Sequence, residues 1–422
     1  MKSKEFGTIK KSIKTHFENQ PFHQSKGVPL AFPPYDWKEV CSALESMLDL
    51  KTTMGKKVLN FEKNFAKYIG VKHAIMVNSG SSANLLALSL LANPSLGAKK
   101  FLPGDEIITP AVTWSTTVFP ISTINAIPVF VDVDPHTFNI DPEKIEQAIT
   151  KKTKAIMLVH LLGFPCDMKK IIKIAKKYNL EIIEDCCEAL GASYCKKKVG
   201  TFGKVATYSF FASHHITTME GGMLVTNDSN LFELAKSMRS HGWVRDLKVQ
   251  SKIKHDNPHL DSRFIFTNMG FNLRPTEVQG AFGIYQLKKL NKLINFRIKT
   301  SNFWKKSLSK YSNFLQFHPD EKNIVNSNML FPITVIENKF FDKKELVSFL
   351  EKQNISTRPV MTGNIIKQPI MKHIKHKVIS PLKNSNDVTK NSFLIGNHHM
   401  INNEKRKYVV DSITNFMNSK IN

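Results

Sequence analysis

No run of eighteen or more apolar residues occurs in these 422 residues, so no segment reads as long and apolar enough for a bilayer-spanning helix. The opening Met1-Lys2-Ser3-Lys4-Glu5-Phe6 lacks the apolar run of a secretory leader. Cysteine is scarce. There are five, an odd number without framework spacing, which points to reduced thiols and a cytoplasmic protein. All five (Cys41, Cys166, Cys186, Cys187 and Cys195) precede residue 196, so nothing downstream can supply a thiolate. Acid is short as well, with 35 Asp and Glu against 60 Lys and Arg, a formal charge of +25. The lysines are spread along the chain and no nucleic-acid motif accompanies them, so the excess reads as solvated surface rather than a nucleic-acid footprint. Such a field favours an anionic substrate. Internal repeats and low-complexity linkers are missing too.

What is present is a chain 41% hydrophobic, enough to bury a large core and to divide into two domains. Short apolar runs alternate with segments of helical period. The strands expected are 74–78, 106–110, 127–132, 155–162, 181–185, 206–211 and 223–226, with helices over 82–91, 142–149 and 168–178 among them. That alternation implies an α/β fold with a mostly parallel sheet and ligands at the carboxyl ends of its strands. From Leu287 the pattern changes to a long helix and then to shorter elements. The expected division is an extension at 1–30, a large domain at 31–286 and a smaller C-terminal α+β domain at 287–422.

Several motifs carry chemistry. Val77-Asn78-Ser79-Gly80-Ser81-Ser82-Ala83-Asn84 ends a strand, turns on Gly80 and opens a helix, where backbone N–H groups and hydroxyls can face a phosphate. Small polar residues also make ordinary N-caps. The run Glu181-Ile182-Ile183-Glu184-Asp185-Cys186-Cys187-Glu188-Ala189 ends a buried strand in carboxylates, and Asp185 is placed to meet a protonated pyridinium nitrogen or, alternatively, a helix cap or structural ion pair. Glu184 alternates to the other face. Trp114, in Thr109-Pro110-Ala111-Val112-Thr113-Trp114, could stack on an aromatic ring or simply fill core. Ser209 closes another strand, and Gly270-Phe271-Asn272-Leu273-Arg274 offers an amide and a guanidinium suited to phosphate or carboxylate.

Together with Ser209-Phe210-Phe211-Ala212-Ser213-His214 and Glu220-Gly221-Gly222, these motifs resemble, in order, those of the DegT/StrS family of pyridoxal phosphate (PLP)-dependent sugar aminotransferases. The likeness runs from about Leu30 to the C-terminus. It implies the aspartate aminotransferase type fold (PLP-dependent transferase fold type I) and a homodimer with shared active sites. It further implies Ser81 and Ser209 near the cofactor phosphate, Trp114 on the ring and Asp185 at the ring nitrogen, with Gly80 and Glu188 also among the cofactor-binding residues. Asn272 and Arg274 would reach across from the partner subunit.

One residue departs from the pattern. Where the family carries its Schiff-base lysine, this chain has His214, and an imidazole moves protons but forms no stable imine. The resemblance therefore narrows to the histidine-substituted branch of sugar 3-dehydratases, binding PLP or its amine form (PMP) without a covalent anchor. That branch acts on nucleotide-linked 4-keto-6-deoxyhexoses in surface polysaccharide (O-antigen) biosynthesis, with an amino donor such as glutamate. His214 is then the catalytic residue, taking a proton from the cofactor's C4′ and delivering it to the departing C3 hydroxyl. A second group within the branch adds a [2Fe–2S] cluster and a reductase, which the missing downstream cysteines disfavour. Asp185-Cys186-Cys187 and Gly242-Trp243-Val244-Arg245-Asp246 nevertheless resemble that group. A noncatalytic member that binds cofactor or sugar is the third alternative. His215 is assigned to hydrogen bonding or packing. His160, at a strand end, is read as approaching the sugar or satisfied by neighbours, and no metal site, nucleic-acid partner or membrane partner is expected.

Overall fold

The computed structural model describes residues 4–19, 27–245, 247–379 and 381–421. Residues 1–3 and 20–26 of the expected extension, and Asp246 of the motif above, lie outside these.

Seven strands build the main sheet: β1 (His73–Val77), β2 (Glu106–Pro110), β3 (Ile127–Val131), β4 (Thr153–Val159), β5 (Glu181–Asp185), β6 (Val205–Ser209) and β7 (Gly222–Thr226). The spatial order is β1-β7-β6-β5-β4-β2-β3, and a two-residue strand, Lys377–Val378, extends the β3 edge to make eight. Neighbours run parallel except at β7, which is antiparallel to both β1 and β6. Strands β2, β3, β6 and β7 are buried at every position, as strands covered on both faces must be.

Eight helices matter here: α1 (Lys4–Asn19), α2 (Trp37–Leu48), α3 (Lys56–Ile69), α4 (Gly80–Leu91), α5 (Ser115–Thr123), α6 (Met168–Tyr178), α7 (Ser229–Arg239) and α8 (Glu277–Leu308). On one face of the sheet Leu86 and Leu90 of α4 pack with Ile75, Met157, Ile183 and Leu224. On the other, Phe61, Phe65, Tyr208 and Phe210 meet with ring centroids 5.1 to 5.9 Å apart, beneath Leu290 and Leu293 of α8. Tilted and edge-on aromatic contacts of this kind contribute about 0.5–1.5 kcal/mol each beyond burial.

Helix α8 is 32 residues long and starts at a capping box in which Thr276 and Gln279 exchange bonds. It begins against α3, where a Cβ on Gly283 would stand 2.5 Å from the Phe61 ring. It ends with Trp304 and Leu308 in a second core beside Phe331, Ile333 and Phe393. That core backs a four-stranded antiparallel sheet of β8 (Leu315–Gln316), β9 (Phe331–Val335), β10 (Thr357–Pro359) and β11 (Ser392–Ile395), in the order β8-β9-β11-β10. The division drawn between residues 286 and 287 thus falls inside one unbroken helix, and Lys377–Val378 carries the C-terminal part back onto the main sheet. In the N-terminal extension, α1 packs along α2 with Lys10 and Lys14 over the Trp37 indole, and Val28 pairs with Ile355 of the second sheet's side.

Two strands are shorter than their apolar runs. The run at 155–162 leaves the sheet after Val159, because the chain turns through His160–Gly163 with Leu162 at φ 54°. The run at 206–211 stops at Ser209, since Phe210 turns to bond Gly221 O. Both exits lie at the rim of the same cavity.

Candidate active site

A cavity of about 320 Å³ opens where the carboxyl ends of β1, β2, β4, β5 and β6 meet residues of the second sheet's side. Its wall includes Gly80 and Ser81 at the start of α4, Trp114 ahead of α5, Asp185 and Glu188 at the end of β5, Ser209, and His214 from the β6–β7 loop. The structure therefore gathers seven of the nine residues singled out in the sequence. Asn272 and Arg274 line a different cavity of about 450 Å³, with Ser240, Trp243 and Arg245. There Arg274 Nε donates to Asn272 Oδ1 at 3.0 Å, and the Arg245 and Arg274 guanidinium groups each stand 6.0 Å from the Trp243 ring.

The start of α4 is set by Ser79, whose Oγ accepts from Ser82 N at 3.0 Å. The first N–H groups of any helix lack intrahelical partners and carry the positive end of its dipole. Gly80 is required by contact: a Cβ there would lie 2.5 Å from Ser209 Cβ. Gly222 is required likewise, since its Cβ would lie 2.2 Å from Ser79 O. Gly222 of the Glu220-Gly221-Gly222 motif is thus explained by β7 running tightly beneath the α4 turn.

Asp185 is buried and held on both oxygens. Oδ2 accepts from Thr117 Oγ1 at 2.7 Å and Asn84 Nδ2 at 2.9 Å, and Oδ1 accepts from Cys187 N at 3.1 Å. Thr207 Oγ1 in turn donates to Asn84 Oδ1 at 2.6 Å, which fixes the amide. Glu188 accepts from Leu162 N at 2.9 Å, and burial pushes its carboxyl up to about 7 against the pull of Arg358. It can therefore donate or accept a hydrogen bond near neutrality.

His214 is half-buried on the wall, its ring edge-on to Phe211 at 6.2 Å, and its Nδ1 has no partner among the described residues. Desolvation, then the guanidinium groups of Arg297 and Arg358, push its pKa down to about 3, so the ring is neutral across the physiological range. His215 points elsewhere: it is buried and donates from Nε2 to Ser327 O at 3.1 Å, the hydrogen-bonding role expected for it. His160 does not face the cavity. Its Nδ1 accepts from Cys166 N at 2.9 Å and its Nε2 meets Glu184 at 3.1 Å. Glu184 also takes the N–H groups of Gly200, Phe202 and Gly203, so it serves structure. His160, Glu184 and Cys186 come close enough to share an ion, but the carboxylate and imidazole are committed to these bonds. Of the cysteines, Cys186 sits in the core and Cys187 in the cavity wall, while Cys41, Cys166 and Cys195 lie on other segments.

Sequence reasoning missed Thr117, Met329, Met361 and Arg358 of the wall. The last three come from the second sheet's side, and no linear motif marks them. Asn84 was in the quoted turn, yet nothing in one dimension paired it with Asp185.

A model of the DegT/DnrJ/EryC1/StrS aminotransferase family matches residues 35–414. The chain belongs to this family. GDP-4-keto-6-deoxy-D-mannose 3-dehydratase of Yersinia pseudotuberculosis is 39% identical over 385 residues, 90% of this chain and 96% of that protein. Lipopolysaccharide biosynthesis protein RfbH of Salmonella typhimurium is 37% identical over 391 residues, 90% of this chain and 89% of that one. The structure of the E. coli GDP-4-keto-6-deoxy-D-mannose 3-dehydratase with bound hydrated PLP superposes with a TM-score of 0.86 at 35% identity, covering 92% of this chain and all of that one. The fold is the PLP-dependent type I architecture, with its mostly parallel main sheet and smaller C-terminal α+β part.

The cavity suits such a cofactor. It offers a helix N-terminus and the Ser209 hydroxyl for a phosphate, the Trp114 indole for a ring face, a fixed carboxylate at Asp185 for a protonated ring nitrogen, and an imidazole nitrogen without a partner among the described residues.

Proposed function

We propose that this chain is a PLP/PMP-dependent lyase, a 3-dehydratase that removes the C3 hydroxyl of a nucleotide-linked 4-keto-6-deoxyhexose in deoxysugar biosynthesis for surface polysaccharide. One observation carries the reading: the cavity that fits the cofactor is lined by His214, and among the described residues none that lines it is a lysine. Bound there, the cofactor supplies a primary amine for the C4 ketone and a ring that draws electrons. The residues do the rest. Ser81, Ser209 and the start of α4 hold the phosphate, Trp114 fixes the ring plane, and Asp185 holds the ring nitrogen in its protonated form. His214, neutral at rest, takes a proton from the carbon bearing the amine and returns it to the C3 hydroxyl, which leaves as water. Positioned proton transfer of this kind contributes about 10²–10⁴-fold. Over a turnover the sugar loses one oxygen and an amino donor such as glutamate is oxidised to its keto acid with release of ammonia, so atoms and electrons balance.

In this reading the enzyme is a cytoplasmic homodimer. Asn272 and Arg274, which face away from their own chain's cofactor cavity, complete the partner's site. The absence of a bilayer-length apolar helix among the described residues is compatible with that setting. The test is incubation of PMP-loaded protein with GDP-, CDP-, UDP- and dTDP-linked 4-keto-6-deoxyhexoses and glutamate. A sugar product lighter by one oxygen, with stoichiometric 2-oxoglutarate, is expected from at least one of them; an aminated sugar or unchanged substrate in every case contradicts the reading.

A further inference from the structure

Arg297 of α8 is 4% exposed, and among the described residues its guanidinium meets carbonyl oxygens alone. Nη1 donates to Met329 O at 2.6 Å and to Asn397 O, and Nη2 reaches His214 O at 3.4 Å. Asn397 answers by donating from Nδ2 to Asn328 O at 3.0 Å and Arg297 O at 3.2 Å. Burial pulls the guanidinium down to about 10, which leaves it cationic at neutral pH. A buried cation without a carboxylate is costly to the fold, so its location matters. It sits behind the catalytic loop. The same segment, 327–329, is tied to that loop a second time by His215 Nε2 to Ser327 O.

The charged groups around His214 divide by sign. Arg297 from α8 and Arg358 from β10 are cations, and both disfavour the imidazolium. Asp185, Glu188 and Glu220 are the acids of the cavity wall, and Cys187 and the neighbouring His215 complete the titratable set. Asp185 accepts from Asn84, Thr117 and Cys187, and Glu188 from Leu162 N.

We propose that Arg297 is a positioning residue for the proton-transferring imidazole: it fixes the His214 backbone from the second sheet's side and sets an unpaired positive charge beside the ring. A proton taken up beside that charge is held weakly and passes on to the departing hydroxyl. The proposal rests on the reading of His214 as the base only for its kinetic arm, because the charge state of the ring can be measured without turnover.

The test uses full-length protein with ¹⁵N-labelled histidine, the His214 resonance being the one lost in His214→Asn. In Arg297→Met the imidazole midpoint should rise by one pH unit or more, and the acid limb of kcat should move up with it. KM and PMP affinity should stay within about threefold of wild type. Arg297→Lys keeps the charge and loses the fork, so its midpoint should stay near the wild-type value while kcat falls. Arg297→Gln, which retains an amide donor towards Met329 O, serves if the methionine variant does not fold. A folded, charge-removed variant with an unmoved midpoint overturns the proposal. If the midpoint moves but no ketosugar is deoxygenated by wild type, the dehydratase reading fails and the role of Arg297 stands.

Discussion

At position 214 the choice between an amine and an imidazole decides what the cavity can do. Lysine would anchor the cofactor covalently, whereas a neutral imidazole can only shuttle protons. The position itself was legible, because the serine, the histidine and the following Glu-Gly-Gly lie on one short segment whose spacing survives in three dimensions. So were Asp185 and Ser209, each at the end of a strand whose apolar run announces it. Arg297 and Arg358 were not legible: they lie 83 and 144 residues beyond His214 in sequence, on surfaces that meet it only after the second sheet has folded. Restoring the amine tests the geometry. His214→Lys should form a borohydride-reducible covalent adduct with PLP, seen as a mass increment on the peptide containing residue 214. No adduct in a folded variant would place that side chain away from the reactive carbon.

At the level of elements, the helix-opening turn at 79–84 matters through close approach. The sequence marked Gly80 as a turn residue, but only the packed structure shows that α4 starts against Ser209 and that β7 passes beneath it at Gly222. The overlong strands at 155–162 and 206–211 arise from a related cause: apolar residues continue past the sheet because Leu161, Leu162 and Phe210 at the rim of the cavity are themselves buried, whereas Phe211 is exposed. Periodicity reads burial and cannot tell a buried strand from a buried turn. Gly80→Ala should accordingly push α4 from β6 and weaken PMP binding at least tenfold by equilibrium titration, with the circular dichroism spectrum kept. Affinity equal to wild type would mean that the start of α4 does not hold the phosphate.

Across the whole molecule, four of the histidines are held in an unusual state. His214, His318 and His398 are pushed down to about 3, and His215 well below its ordinary value, in each case chiefly by burial. His318 lies between Phe138 at 5.0 Å and Phe164 at 5.3 Å, and neither ring nitrogen has a partner among the described residues. Unfolding lets such a ring return to its free pKa near 6.5. Its contribution to stability is therefore intact above that value and falls as pH drops towards 3, by up to ~1.4 kcal/mol per pH unit for each buried ring. The urea midpoint should be lower at pH 5 than at pH 7.5. His318→Phe should reduce that difference, and an identical pH dependence in wild type and variant would show that His318 does not stay neutral in the fold. Composition gave the fold class because alternating apolar runs and helical segments admit few arrangements. The change of pattern read at Leu287 falls within α8, which is apolar towards two cores in turn.

The central claim is that the His214 imidazole moves the proton in the cofactor cavity. The most direct measurement is mass spectrometry of the sugar made by PMP-loaded wild type and His214→Asn, side by side, on the ketosugar that wild type accepts. The account predicts a product lighter by one oxygen from wild type, and at least a hundredfold slower formation by the variant at unchanged PMP occupancy. Equal rates from the two proteins, or an aminated sugar from wild type, would contradict it.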